Sequence, residues 1–422
     1  MDASRTGKNR ICWIDGLKGL ACLLVFLHHF LLTFYPASYY GSAAVSMTPA
    51  RWDVFLSSSP LGVSVNGNFW VSVFLMLSAW LAAYPLMRMS AEEALPSGAV
   101  LASGTESAPG IDGPAAGSGK ARKVLHAALK RYPRLMLPVL AVSLLNYVLV
   151  RLMEAAGWGY VSSGGTLPLP ELLYHVFVLL WIRTDTAVLG PLWMMQVLFA
   201  GSLISILAGS AGRRLSPLIP LLSFAGIYYA VKLDANFCAC FMGIILADLT
   251  AYRRFRSIPA LGSLLYTRAF CILAILTGLF FGGYPSGVRP DNLYRIFDPI
   301  ALRVPQASVF LHACGAFALL YGLWQLLSPD GKERTSLLSA KPFLFLGRIS
   351  FSVYLLHILF IMYLGYFLMD LLPAAGLSYG AAALLSFVIL SLLLLPSACL
   401  FERLEKSSEA LAEAFARRLS GK

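Results

Sequence analysis

Asp15, Lys18, His28 and His29 are the polar residues that stand out in the first long apolar run, Cys12 to Tyr35. A histidine titrates near neutrality, so it can take a proton from a hydroxyl and hand it to a leaving group. The same residue type often serves as an interhelical hydrogen-bonding group. Residue type alone leaves both roles open. Spacing says more: Lys18 and His29 are eleven residues apart, which at 100° per residue closes to within about 20° of three full turns and separates them by about 16 Å along a helix axis. Asp15, one turn before Lys18, can pair with it, whereas His28 points about 100° away from His29. Lys18 near a helix end also fits plain snorkelling to lipid headgroups.

Three further groups can carry chemistry. Arg131 and Arg134, in LKRYPRLMLP, offer guanidinium forks that suit phosphates, although membrane anchoring by positive charge accounts for them more economically. Arg348 and His357, in LGRISFSVYLLH, are nine residues apart. On one unbroken helix they face opposite sides, so only one is expected in a cavity shared with His29. The stretch from Tyr284 to Arg303 mixes Arg, Tyr, Asp and Asn, a composition that binds sugar hydroxyls and is also ordinary for a solvated loop. The seven cysteines are scattered without metal-ligand spacing, and no metal is expected.

The elements that must position these groups follow from composition. The 422 residues are 58% hydrophobic and only 13% charged, with mean hydropathy +0.72, which excludes a soluble domain. The expected fold is an all-α polytopic membrane protein of about ten transmembrane helices with both termini cytoplasmic. Spans are placed near 12–35, 69–87, 135–153, 191–209, 216–231, 236–251, 265–283, 306–327, 344–369 and 378–401. That topology puts 23 of the 33 Lys and Arg residues on one side, which the positive-inside rule makes cytoplasmic. The basic residues form short blocks between spans, so the net charge of +12 reflects topology and no nucleic-acid partner is expected. The start carries no secretory signal pattern, and the first segment is expected to remain as an anchor. Residues 171–181 are too short to cross and read as an outer-face or re-entrant helix. Residues 91–119 read as a flexible cytoplasmic linker. From Glu402 to the end, with Leu411 and Phe415 at i, i+4 spacing, an amphipathic helix is expected on the inner surface. The chain thus divides into a membrane unit, 1–401, and a cytoplasmic tail, 402–422.

IDGLKGLACLLVFLHHF resembles the opening helix of the acyltransferase-3 family, which reads D-G-L-R-G-L-A with a histidine eleven residues after the arginine. Here that histidine is His29. GNFWVSVFLMLSAW resembles the second helix of the family, KRYPRLMLP its R-R-x-x-R-x-x-P segment, and LGRISFSVYLLH its late L-G-x-I-S-Y-S-x-Y-L-x-H. The four occur in order across residues 10 to 360. The resemblance implies a multi-pass enzyme of the cytoplasmic or plasma membrane that takes an acyl group, often acetyl, from cytoplasmic acyl-CoA to a hydroxyl of a glycan or other acceptor. It implies no permanently bound cofactor. His29 becomes the catalytic residue, with Lys18 in the place of the family arginine and Asp15 beside it. Arg131 and Arg134 become candidates for the donor phosphates, and Ser78, Trp193, Arg348 and His357 further cavity residues. A second copy of the chain or a separate protein carrying the acceptor stays open as a partner.

Three positions depart from the family pattern. Lys18 keeps the charge but loses the bidentate fork; LWMMQVLF has Gln196 or Leu198 where a glutamate is common; and Ala79 replaces the glycine after Ser78. Asp185 and Asp15 are the alternative acids. An exporter or flippase of a glycan or lipid-linked intermediate would use the same polar cavity without covalent chemistry. Consumption of acyl-CoA separates the two readings.

Overall fold

The computed structural model describes residues 11–92, 115–157, 167–211, 215, 217–252, 264–286, 292–328 and 333–421. Most of the expected linker at 91–119 lies outside them. Seven helices among the described residues are long and apolar enough to cross a membrane. Numbering the longer helices only, α1 is Cys12–Phe34, α2 Gly67–Glu92, α3 Ala115–Leu129 and α4 Arg131–Ala155. After these come α5 (Leu169–Ile182), α6 (Met194–Ser210), α7 (Leu218–Leu233), α8 (Asn236–Tyr252), α9 (Arg268–Gly282) and α10 (Ala307–Leu327). The last three are α11 (Lys341–Arg348), α12 (Ser350–Ala374) and α13 (Tyr379–Ser420).

The expected spans near 216–231, 236–251 and 265–283 appear as α7, α8 and α9, which have 16, 17 and 15 residues. At 1.5 Å per residue they reach only about 23 to 26 Å. α5 is a short apolar helix, as its sequence suggested, with a π-helical turn at His175–Leu179.

α2 sits at the centre, packed against α1, α6, α8 and α10, while α9 pairs with α10 and α13 with α4 and α12. Its middle is lined by Phe69, Leu75, Met76 and Trp80, all nearly inaccessible. α1 packs against α11 and α12 as well as α2. The contact with α11 is backbone against backbone. A Cβ on Gly19 would lie 2.5 Å from the Gly347 amide nitrogen, and one on Gly347 would lie 2.0 Å from the Asp15 carbonyl oxygen. Small residues let membrane helices approach this closely. The glycines of DGLKG and LGR therefore join the first motif of the chain to its last.

Two expectations change. The span expected at 344–369 is interrupted at Ile349, whose φ of −97° and ψ of 6° end α11 and begin α12. Arg348 and His357 therefore sit on two helices, and of the two only His357 meets His29, as expected. Arg348 closes α11 and pairs with Glu402 at 3.4 Å, away from the histidines. The last span and the tail form one continuous 42-residue helix, α13, with no break at residue 402. Lys130 and Arg134 hold its distal part through Glu409, at 3.7 and 3.5 Å, and Lys130 reaches Glu413 at 3.0 Å.

Candidate active site

α1 carries His29 in its C-terminal half, about 25 Å along the axis from Cys12. His29 Nδ1 lies 3.0 Å from the Val25 carbonyl oxygen of its own helix and 3.2 Å from His357 Nε2 on α12. The two rings are 4.8 Å apart. His357 is fully enclosed at 1% exposure, and its Nδ1 lies 2.6 Å from the Tyr354 carbonyl oxygen and 3.3 Å from that of Val353.

These acceptors assign the tautomers of the neutral rings. Carbonyl oxygens only accept, so the proton of His357 resides on Nδ1 and its Nε2 presents a lone pair. That lone pair and the Val25 carbonyl oxygen both face His29 Nδ1, which must carry the proton of its own ring. His29 Nε2 is left with a lone pair, and no hydrogen bond among the described residues engages it. The arrangement is that of a base whose far nitrogen is fixed by a second group.

Tyr354 carries the chain of contacts outward. Its hydroxyl donates to the Pro191 carbonyl oxygen, in the 3-10 turn Gly190–Trp193 that leads into α6. One helical stretch later, Tyr363 donates to Asn146 Oδ1 at 2.8 Å, and Asn146 Nδ2 donates to the Val188 carbonyl oxygen at 3.2 Å. The segment 188–193 is thereby tied to the helix that carries His357. Trp193 lies in that turn, partly buried against the core.

His28 turns away from His29 as its angle predicts and donates from Nδ1 to the Val65 carbonyl oxygen at 2.8 Å. Its ring fills the space a side chain at Gly67 would occupy, since a Cβ there would lie 2.3 Å from His28 Cδ2. Asn66, next to Gly67, donates to the carbonyl oxygens of Gly282 and Tyr284 at 2.9 Å each and accepts from Ser286 at 3.0 Å. A small polar recess lies here, lined by Ser38, Tyr39, Asn66 and Ser286.

Other candidates from the sequence are distributed less compactly. Asp15 and Lys18 pair at 3.3 Å, as their spacing predicts. Arg131 is partly buried and makes no ion pair among the described residues, whereas Arg134 is engaged by Glu409. Ser78 is partly buried on α2, and no hydrogen bond joins it to the histidines. Gln196, where the family acid is absent, accepts from Thr184 at 3.1 Å and donates to the Ile182 carbonyl oxygen at 3.3 Å. Asp185 is committed to His175 at 2.7 Å, with Arg183 at 3.8 Å. It is therefore not a free acid beside His29. Among the described residues no cluster of His, Cys, Asp or Glu is arranged to hold a metal.

Sequence reasoning passed over Asn66, Asn146, Tyr354, Tyr363 and the buried His312, whose Nε2 meets the Tyr284 carbonyl oxygen at 2.8 Å. A histidine in an apolar span was a visible signal for His312. The amides and phenols become conspicuous only once the helices are packed.

No curated protein and no solved structure matches the chain. A family model described as an acyltransferase domain matches residues 11–401, nearly the whole length. The span includes all four motifs and both members of the histidine pair. The chain belongs to the acyltransferase-3 family, and the protein is a multi-pass membrane acyltransferase.

Proposed function

We propose that the protein takes an acyl group from cytoplasmic acyl-CoA and esterifies a hydroxyl of a glycan or other cell-surface acceptor, with His29 as general base. The acyl group we propose is acetyl. The observation that carries the reading is the His29–His357 pair, which presents His29 Nε2 as a free lone pair. In the reaction, Nε2 takes the proton of the acceptor hydroxyl as its oxygen attacks the thioester carbonyl carbon. The C–S bond then breaks, and the imidazolium returns the proton to the departing sulfur, so the products are an ester and free CoA thiol. A variant route through an acyl-histidine uses the same nitrogen as nucleophile.

The reading includes a topology of ten spans with both termini cytoplasmic, in which Lys18 lies toward the inner face and His29 about 16 Å further out on nearly the same line of α1. An extended thioester arm fits that path, with the donor phosphates at Arg131 and Arg134 at the inner end. Arg131 has a guanidinium to spare, and Arg134 would exchange Glu409 for phosphate. The membrane would be the cytoplasmic or plasma membrane.

The test is transfer of label from radiolabelled acetyl-CoA, supplied to inside-out vesicles, into endogenous glycan or lipid. Label should enter with wild type and be lost with His29→Ala. Full incorporation by His29→Ala would remove the base assignment. Acceptor movement across the membrane without any acyl-CoA consumption would favour an exporter.

A further inference from the structure

The distal part of α13 carries Glu402, Glu405, Glu409 and Glu413, and at 100° per residue these fall within about 80° of one another on the helix. Each meets a group on a different helix. Glu402 pairs with Arg348 of α11 at 3.4 Å, and Glu405 accepts from Ser352 of α12 at 2.9 Å. Glu409 lies 3.5 Å from Arg134 of α4 and 3.7 Å from Lys130, and Glu413 accepts from Lys130 at 3.0 Å. The acidic row therefore runs across both basic motifs, KRYPR and LGR.

The rungs of this ladder are unequal. Glu405 is held by a hydroxyl on a fully buried residue, and Glu413 accepts from Arg417 at 3.0 Å as well as from Lys130. Among the described residues Glu409 makes only the two longer ionic contacts, and its side chain and that of Arg134 are 45% and 40% exposed. Exposed pairs of this kind are weak and exchange readily. With firmer rungs on both sides of it, Glu409 can swing into water while the tail stays docked.

Arg134 is one of the two arginines assigned above to the donor phosphates. The other, Arg131, makes no ion pair among the described residues. A phosphate fits the guanidinium fork better than a single distant carboxylate oxygen does, but it reaches Arg134 only by displacing Glu409.

We infer that the tail of α13 is an ionic strap that competes with the donor phosphates for Arg134, with Glu409 as the rung that opens. The inference rests on the donor-site reading and adds to it a regulation of that site. While the rung is closed, Arg131 alone is available, and the apparent affinity for CoA falls with the fraction of molecules in which Arg134 is free. Product CoA carries the same phosphates as the donor, so reclosing of the rung also favours its departure.

The experiment measures binding of CoA thiol to the full-length protein in nanodiscs, together with acetyl-CoA kinetics in inside-out vesicles. Glu409→Gln keeps the shape and removes the charge. It should tighten CoA about threefold, since exposed pairs shift an equilibrium only severalfold, and raise kcat/KM for acetyl-CoA by the same factor. Arg134→Ala should weaken CoA about tenfold. In that background Glu409→Gln should change binding by less than about 1.5-fold, because its effect runs through Arg134.

Unchanged CoA binding in Glu409→Gln, with Arg134→Ala still weakened, would remove the strap and leave the donor site standing. A loss of thermal stability without tighter binding would do the same, since the rung would then be a fastening only. Equal tightening with and without Arg134 would mean a general effect of charge and would also overturn the strap. CoA binding that ignores Arg134→Ala would remove the donor-site reading and the strap together.

Discussion

Two histidine pairs in this protein use the same ring in opposite ways. His29 and His357 meet nitrogen to nitrogen at 3.2 Å with only carbonyl oxygens beyond, and one nitrogen of His29 remains unengaged. His175 instead meets a carboxylate, with Nδ1 2.7 Å from Asp185 Oδ2 and Nε2 4.0 Å from Glu171 Oε1. Asp185 spends its other oxygen on the Ala187 amide at 2.9 Å. The second pair pins the π-helical turn of α5 to the segment that follows it. His175 is held by a carboxylate in a charge-assisted bond that ties two segments together, whereas His29 is held by a neutral ring and keeps a lone pair that can move a proton. Partners, more than residue type, separate the two.

The largest effect should fall on the open nitrogen. His29→Ala should reduce acyl transfer by about 10²- to 10⁴-fold, the usual contribution of a general base. His175→Ala should leave turnover within severalfold, with both rates followed as CoA thiol release. Equal losses at the two positions would erase the contrast. Next in size, His357→Ala should lower kcat by about tenfold with KM little changed, because it loosens the tautomer of His29 without touching donor contacts. His357→Gln can supply a carbonyl oxygen to His29 Nδ1–H and should recover part of that loss. A KM effect without a kcat effect would place His357 in binding instead.

The fastening is tested through stability. Asp185→Asn removes the charge from the His175 pair and should cost about 1 to 3 kcal/mol in thermal or denaturant unfolding, with turnover nearly unchanged. Tyr363→Phe breaks one neutral bond to Asn146 and should cost about 1 kcal/mol.

A carboxylate cluster on α13 sharpens the point through pH. Lys130 donates to Glu413 at 3.0 Å, and that hydrogen bond, with Arg417 and His126 nearby, holds the Glu413 carboxyl down to about 2. A depressed carboxyl contributes stability that is complete above its ordinary value of 4.5 and is lost as pH falls through that value toward 2. The tail of α13 should therefore stay docked at neutral pH and loosen in acid, seen as lower hydrogen-exchange protection factors over residues 402–420 at pH 3 than at pH 7, each taken relative to the intrinsic exchange rate at that pH. Unchanged protection would mean that the tail is held by packing alone.

How much of this was legible depended on sequence distance. The Asp15–Lys18 pair and the turn of His28 away from His29 were readable because they are neighbours on one helix, where 100° per residue settles direction. The short helix at 169–182 was readable from length. That only one of Arg348 and His357 would reach His29 was also readable, but the break at Ile349, which puts them on two helices, was not. The fate of Asp185 was equally hidden. Its partner His175 is only ten residues away, but the π-helical turn between them changes where the ring points.

By itself the sequence determined the membrane class, the order of the motifs and the stripe on α1 that carries Lys18 and His29, because hydropathy and helical periodicity are local properties. It also supplied Gly19 and Gly347, whose missing side chains permit close contact. Only the tertiary structure decided that α1 and the last motif touch there, and that His357, 328 residues from His29, holds its Nδ1. Which nitrogen becomes the base follows from which acceptors surround the ring, and those come from a different helix. Helix packing sets that relation, and no local pattern encodes it.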